Sequence, residues 1–396
     1  MPMNIALFSF FSGAGLLDLG FQAEGFKIVL VNEICQPFLE AYKFTRKRLK
    51  VREPDYGYDG SDIVDFLEGK KKQSLMQYIR EIRGKGDIVG FIGGPPCPDF
   101  SVGGKNKGID GENGILSQTY SDLIRIFKPD FFFFENVKGL WATYRHKLFY
   151  GGIKKAIQFS GYLTTEKIIN SIEYCVPQDR QRIFFFGITY GLSKDMGLEI
   201  GTYHGTIPAE LFDWAKHAKY PGRKAFQFQW PERNKFENLL ELPAPTNVPL
   251  ELTVEHWFRK NDVTNHPNCE YYFKPRAALA RFLSIDEGDT KRKSFKRLHR
   301  WRYSPTAAYG HNEVHLHPYK PRRLSVAEAL AIQSLPPQFE LPPYMTLTNM
   351  FQSVGNGVPF LASKMVARSI KEFLLFRTGD ANVSGKENVN GGIYSR

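Results

Sequence analysis

Asp87-Ile-Val-Gly-Phe-Ile-Gly-Gly-Pro-Pro-Cys-Pro-Asp-Phe-Ser101 is the stretch that decides the fold. Asp87 to Ile92 is short and apolar and runs into Gly93 and Gly94, as expected of a strand buried inside a parallel sheet. Pro95 and Pro96 have a fixed φ and no backbone N–H, so a central strand must end before them. Loops at the carboxyl ends of parallel strands are where α/β proteins keep their reactive groups, and Cys97 sits in such a loop between two prolines. A free cysteine is ordinarily a small core residue. The flanking prolines and the Gly-rich continuation Val102-Gly-Gly-Lys-Asn-Lys-Gly108 favour a nucleophile instead, on a loop with glycine hinges that closes over a substrate.

Outward from this point, residues 4–190 alternate short apolar runs with longer amphipathic segments, the pattern of a parallel sheet covered by helices. Ile5–Phe10, Ile28–Asn32, Asp87–Ile92, Phe131–Glu135 and Ile183–Ile188 are the expected strands. Phe131 to Phe134 is apolar at every position and suits a strand buried on both faces. Regular patterning is lost after about 190, and the irregular part ends in Lys291-Arg-Lys-Ser-Phe-Lys-Arg-Leu-His-Arg-Trp-Arg302, where seven of twelve residues are Lys or Arg. That run is a candidate phosphate-binding segment, a solvated helix face being the plain alternative. Ser325-Val-Ala-Glu328 fits a capping box opening a helix, and Val358 to Phe376 reads as a last amphipathic helix. The expected organisation is a catalytic domain over 1–190, a smaller irregular domain over 191–296, a return to the catalytic domain over 297–378 and a disordered tail over 379–396.

With 396 residues, 42% of them hydrophobic, the chain can bury large cores, and it carries a formal net charge of +12. The charge invites a polyanionic partner. Neither a leader peptide nor an apolar run long enough to span a bilayer is visible, so a cytoplasmic protein without a membrane is expected. Cys35, Cys97, Cys175 and Cys269 form no Cys-x-x-Cys pair, and a disulfide framework or zinc site is not expected. His299, His311, His315 and His317 lie close together but lack a ligand-like spacing, and no metal is expected there.

The first strand runs into Phe11-Ser-Gly-Ala-Gly15, a turn in which glycines permit close backbone approach to a ligand. A dinucleotide fingerprint wants a third glycine at 18, where this chain has Asp18. Glu33, at the end of the second strand, could accept hydrogen bonds from ribose hydroxyls. A nucleoside cofactor without pyrophosphate fits these residues better than a dinucleotide.

Phe11-x-Gly-x-Gly15, Pro95-Pro-Cys97, Glu135-Asn-Val137, Gln178-x-Arg-x-Arg182 and Gly355-Asn-Gly-Val358 occur in this order. Together they resemble the motif series of the bacterial-type cytosine-5 DNA methyltransferases, over roughly 1–190 and 300–377. The resemblance implies a Rossmann-like class I methyltransferase domain with a mixed, mostly parallel sheet. The unmatched middle would hold a target-recognition domain. It implies S-adenosylmethionine as cofactor, S-adenosylhomocysteine as product, and double-stranded DNA as partner. Cys97 would add to carbon 6 of a flipped cytosine, Glu135 would protonate the ring at N3, and Arg182 would bind the cytosine carbonyl and steady Glu135. Gln178 and Arg180 would support the base pocket; from the residues themselves, Arg180 and Arg182 are read as alternating in direction at the start of a strand, one facing the pocket and one the scaffold. Phe11, Gly13, Gly15, Glu33, Ile34, Asp62, Ile63, Leu116, Asn356 and Val358 would line the cofactor site, which requires the last helix to pack on the N-terminal domain. Leu16, Gly357 and Ile34 depart from residues frequent at those places in the family, and bear on cofactor affinity more than on the reaction.

The same resemblance implies a monomer, associated with the nucleoid when on DNA and accompanied by a cognate restriction endonuclease or acting alone. Two alternatives stay open at this level: the tRNA-methylating branch, whose Cys-Phe-Thr segment is absent from 190–296, and a catalytically inactive DNA-binding regulator.

Overall fold

The structure is a computed structural model that describes residues 4–96, 112–141, 143–198, 205–292, 294–307, 309 and 314–375. Cys97, Lys105, Lys107, Lys293, His311 and the 379–396 tail lie outside the described residues.

In chain order the elements are β1 (Ile5–Phe10), α1 (Leu16–Ala23), β2 (Lys27–Asn32), α2 (Gln36–Arg48), β3 (Tyr58–Asp59), α3 (Gly69–Gly84), β4 (Ile88–Gly93), α4 (Glu112–Phe127), β5 (Phe131–Val137) and α5 (Tyr144–Phe159). There follow β6 (Tyr162–Asn170), β7 (Gln178–Asp179), β8 (Gln181–Thr189), α6 (Tyr190–Asp195), α7 (Val254–Lys260), α8 (Leu279–Leu283), β9 (Ser304–Pro305), α9 (Val326–Ile332), α10 (Leu347–Asn356) and α11 (Phe360–Leu375). The main sheet has seven strands in the order β3-β2-β1-β4-β5-β8-β6. Strands β3, β2, β1, β4 and β5 are mutually parallel, and β8 runs antiparallel between β5 and β6. This is the expected mixed, mostly parallel α/β sheet. Chain order reverses between β1 and β4, and the crevice outside the carboxyl ends of those two strands is where such folds bind ligands.

The four phenylalanines of β5 show why the sheet is buried on both sides. Phe131 and Phe133 join a core shared with α1 and α11, whereas Phe132 and Phe134 join the core under α3, α4 and α5. Glycines in the neighbouring strands make room for the rings. A Cβ on Gly90 would lie 2.3 Å from Phe131, and one on Gly187 2.4 Å from Phe132.

Helix α11 closes on α1 as expected. Ser363 Oγ donates to the Leu17 carbonyl at 2.6 Å, the missing Cβ of Gly20 lets the helices meet there, and Arg368 pairs with Glu24 at 3.0 Å. Helix α1 also serves a second core. Leu17 and Phe21 face the sheet, while Leu16 and Leu19 pack with Trp257, Leu298, the buried side of α9, and Met350 and Val354 of α10. The expected capping box at Ser325 and Glu328 is present.

Three features differ from the reading of the sequence. Strand β6 was not expected, because Tyr162-Leu-Thr-Thr-Glu-Lys-Ile-Ile-Asn170 mixes polar and apolar residues as an outer strand can. Beyond residue 190 the chain still builds the sheet's core: the Phe212 and Phe186 rings stack at 5.0 Å, and Trp214 lies 6.3 Å from Phe184. The basic run is the third difference. It is neither a helix nor, for its central arginines, a phosphate-binding surface.

Arg297 has no exposed surface and donates to four carbonyls, those of Ile285 (2.7 Å), His317 (2.5 Å), Lys320 (3.0 Å) and Phe282 (2.6 Å). Burial lowers its pKa to about 10, which leaves it charged at neutral pH. Arg300 grips Glu287 with two bonds of 2.9 and 2.8 Å, and Trp301 is buried. An irregular segment without a strand ladder leaves carbonyls unpaired, and a forked guanidinium is suited to satisfy several of them. In the described part of the Lys291–Lys296 stretch Lys291, Arg292 and Ser294 are exposed, Lys296 is half-buried, and Arg292 is ion-paired with Asp289 at 2.6 Å. Arg297→Met is therefore expected to lower stability by about 3 kcal/mol or more through the stranded carbonyls. Thermal denaturation checks this, and the salt dependence of DNA binding by the folded variant should match that of the wild type.

Candidate active site

The side chains expected to carry function gather at the carboxyl ends of β1, β2, β3 and β5. Glu135 lies in β5 opposite Phe184 of β8, and two residues along on the same face of β8 is Arg182. Diagonal neighbours on one face are within reach of long side chains. Arg182 Nε lies 3.0 Å from Glu135 Oε1, in an ion pair that is largely shielded from solvent. Burial raises the Glu135 pKa above its ordinary value, and the charges of Arg182 and Arg180 oppose that rise without cancelling it. The outcome is a carboxyl that keeps its proton at higher pH than a free glutamate does.

Arg180 and Arg182 take different partners, but not through the expected strand alternation, since residues two apart share a face. The ladder breaks at Arg180, between β7 and β8. Its backbone N–H donates to Asn170 Oδ1 at 3.0 Å, and its guanidinium donates to the carbonyls of Ala307 (3.1 Å) and Gly355 (2.7 Å). Gln178 is fully buried beside it and accepts from the Ala307 N–H at 3.3 Å. These two residues thus clip the strand that leads to Arg182 onto the returning C-terminal segment.

Two contributors near Glu135 were not anticipated. A Cβ on Gly94 would lie 2.7 Å from Glu135 Oε2, so the first residue after β4 must be glycine for the carboxyl to occupy its place. Asn136 Nδ2 reaches the Pro95 carbonyl at 3.5 Å. The Gly-Gly-Pro-Pro signal was legible, but which side chain it made room for depended on the neighbouring strand.

On the cofactor side, Phe11 and Gly13 adopt positive φ values of 54° and 56°, and Gly15 one of 80°. Glu33, 8% exposed, accepts from the N–H groups of Gly13 and Cys35, each at 2.8 Å, and burial raises its pKa. Asn32 donates to the carbonyls of Asp59 (3.2 Å) and Ser61 (2.9 Å), which ties the β2 end to the loop of Asp62. Asp62 is exposed and caps a 3₁₀ turn by accepting from Val64 N–H at 3.1 Å, while Ile63 is buried behind it. Leu116 and Phe11 are half-buried against the same core, with the Phe11 ring edge-on to Tyr120. Ile34 is 59% exposed. Asn356 ends α10 with an exposed side chain and Val358 is buried in the sheet core. Between them, a Cβ on Gly357 would lie 2.4 Å from Leu16 Cδ2, so the returning segment meets the chain directly after the first turn.

Among the described residues no group of three or more His, Cys, Asp or Glu could hold a metal. His317 lies 3.3 Å from Glu328 through Nε2, while its Nδ1 accepts backbone N–H groups, the pattern of a neutral imidazole serving packing. Burial pushes His315 down to about 3 and His299 to about 4. Cys35, Cys175 and Cys269 are free thiols.

Comparison with known proteins agrees with the fold. Residues 5–372 match the family model described as C-5 cytosine-specific DNA methylase. The chain is 53% identical over 368 residues to the Type II methyltransferase M.NmeDI of Neisseria meningitidis serogroup C, covering 93% of this chain and 84% of that protein. It is 27% identical to the Type II methyltransferase M.FnuDI of Fusobacterium nucleatum, covering 93% and 94%. Among solved structures it resembles a prophage-encoded protein of E. coli at TM-score 0.63 and 20% identity, covering 94% of this chain and 99% of that one. A DNMT2 structure from Spodoptera frugiperda follows at TM-score 0.51 and 16% identity, covering 94% and 99%. Likeness at those identities speaks for the fold.

Proposed function

The chain belongs to the C-5 cytosine-specific DNA methylases, and from that membership we propose that it methylates carbon 5 of a cytosine flipped out of a specific double-stranded DNA sequence. The observation that carries the reading is the buried pair of Glu135 and Arg182, set against Gly94 at the mouth of the Pro-Pro-Cys loop. The relatives named Type II further support a role as the modification partner of a restriction endonuclease.

S-adenosylmethionine fits the residues at the first turn. The Cβ position of Gly13 meets nothing within 4 Å, Ser12 Oγ is buried without a partner among the described residues, and Glu33 closes the same turn with a carboxylate able to accept from a ribose diol. Phe11, Gly13, Gly15 and Glu33 would hold it, with Asp62, Ile63 and Leu116 toward the adenine. When bound, it supplies an electrophilic methyl group to a cytosine carbon 5 that has been made nucleophilic.

Making that carbon nucleophilic is the work of the chain's own residues. A base inside a duplex hides carbon 6, so the nucleotide must leave the stack, at a cost of a few kcal/mol. The Cys97 thiolate forms a bond to carbon 6 while Glu135 gives its proton to N3, and the ring's electron density shifts onto carbon 5. Arg182 holds the Glu135 carboxyl in position and stands beside the place of the cytosine carbonyl oxygen. After methyl transfer the carbon 5 proton leaves to water, the Cys97 sulfur departs as thiolate and N3 returns its proton to the Glu135 carboxylate, which restores the aromatic ring and the starting acid.

Expression in a host free of DNA methylation, followed by bisulfite sequencing, tests activity, substrate and target site together. A fully protected cytosine in one recurring sequence is the expected result. Unmodified DNA alongside modified tRNA would move the chain to the tRNA-methylating branch.

A further inference from the structure

The turn carrying Gly13 and Gly15 rests on a cluster of buried polar side chains that methyl transfer does not use. Asp18 of α1 has no exposed surface. It accepts from the Ser9 hydroxyl at the end of β1 and from the Tyr42 hydroxyl of α2, both at 2.9 Å. One helical turn beyond Tyr42, Arg46 is 1% exposed and lies over the Tyr42 ring, 4.2 Å from its centroid. Its Nη2 donates to the Gly15 carbonyl at 2.6 Å, its Nε to Gln22 Oε1 at 2.9 Å, and its Nη1 approaches Thr45 Oγ1 at 3.4 Å. A Cβ on Gly15 would fall 2.5 Å from the Tyr42 ring and 2.6 Å from Arg46 Nη2. Glycine at 15 is thus what lets α2 close on the turn, as well as what permits the left-handed backbone there.

We propose that Arg46, supported by Tyr42 and Asp18, is a positioning residue for the nucleoside cofactor. This rests on the functional reading above. Glu33, three residues before α2 begins, takes the Gly13 N–H on one side of the turn, and Arg46, in the third turn of α2, takes the Gly15 carbonyl on the other. The end of the β2–α2 connection and α2 itself thereby hold the two ends of the Gly13–Gly15 segment. Apolar side chains of equal volume would pack α1 against α2, but they have no directional donor with which to set the orientation of the Gly15 peptide. A buried guanidinium is costly to desolvate, and its neighbours here are a carbonyl, an amide, a hydroxyl and an aromatic face, with the Asp18 carboxyl behind the Tyr42 ring.

The test uses the full chain, with S-adenosylhomocysteine as probe in titration calorimetry, alongside thermal melts and steady-state methyl transfer. Arg46→Met is expected to weaken S-adenosylhomocysteine binding and raise the cofactor KM by about tenfold or more, with kcat at saturating cofactor within about threefold. Tyr42→Phe, which keeps the ring and loses one bond to Asp18, should weaken binding by about threefold. A folded Arg46→Met variant with unmoved affinity and KM, altered only in melting temperature, overturns the proposal. Should Arg46→Met fail to fold, unmoved affinity in Tyr42→Phe overturns it. Absence of binding by the wild type would overturn the functional reading itself, and with it this role for Arg46.

Discussion

Cys97→Ser is expected to reduce methyl transfer by at least about 10³-fold while leaving S-adenosylhomocysteine and DNA affinity within about twofold. The reason lies in the substrate. Carbon 5 of an aromatic pyrimidine does not attack a methyl group until a nucleophile at carbon 6 has broken the ring's conjugation. Serine matches cysteine in shape, but its hydroxyl has almost no anionic fraction at neutral pH, and the thiolate is the attacking species. Single-turnover transfer measures the loss directly. A target oligonucleotide carrying 5-fluorocytosine adds a second readout, since fluorine at carbon 5 blocks the final elimination: the wild type should form an adduct stable to denaturation and the serine variant none. Methylation retained by the variant would remove Cys97 from the mechanism.

Glu135→Gln should cost about 10²- to 10⁴-fold in kcat, because an amide can donate a hydrogen bond to N3 but cannot transfer the proton. Burial raises the Glu135 pKa above its ordinary 4.5. The wild-type rate should accordingly fall as pH rises through that elevated value, and the glutamine variant should lack this limb. Stability carries the same sign. A carboxyl with a raised pKa in the folded state binds more protons there than in the unfolded chain, so its contribution is fully present below pH 4.5 and is lost as pH rises through the folded value. The melting temperature of Glu135→Gln relative to the wild type should therefore improve as pH rises above 4.5. An unchanged pH–rate profile in the variant would assign the limb to another group.

Much of the site was legible because its signals are local. An apolar run ended by Gly93-Gly94-Pro95-Pro96 must be a strand running into a loop, since proline lacks the donor a sheet needs. Four consecutive phenylalanines must be buried on both faces, and the acid after them must share that burial. Glycines at 13 and 15 marked a turn, and both adopt positive φ. The less legible parts depend on partners distant in sequence. The mixed pattern of β6 made sense only once Gln181–Thr189 lay beside it. Lys291–Arg302 read as one basic surface, yet Arg297 and Arg300 are consumed by carbonyls and by Glu287. Composition counts charges but not the unpaired backbone groups waiting for them.

By itself, then, the sequence determined the strand-loop punctuation of a mostly parallel sheet and the order along the chain of the motifs that resemble the family's. The resemblance paired Arg182 with Glu135, and tertiary structure supplied the physical cause, a ladder break that turns Arg180 toward Ala307 and Gly355. Tertiary structure alone decided that Gly94 yields its Cβ space to Glu135, and that Arg46 reaches across from α2 to hold Gly15. The division has a physical origin. Backbone preference and hydrophobic period act over a few neighbouring residues and are written in the chain, whereas a buried polar group takes whatever partner the packing of distant elements brings within about 3 Å.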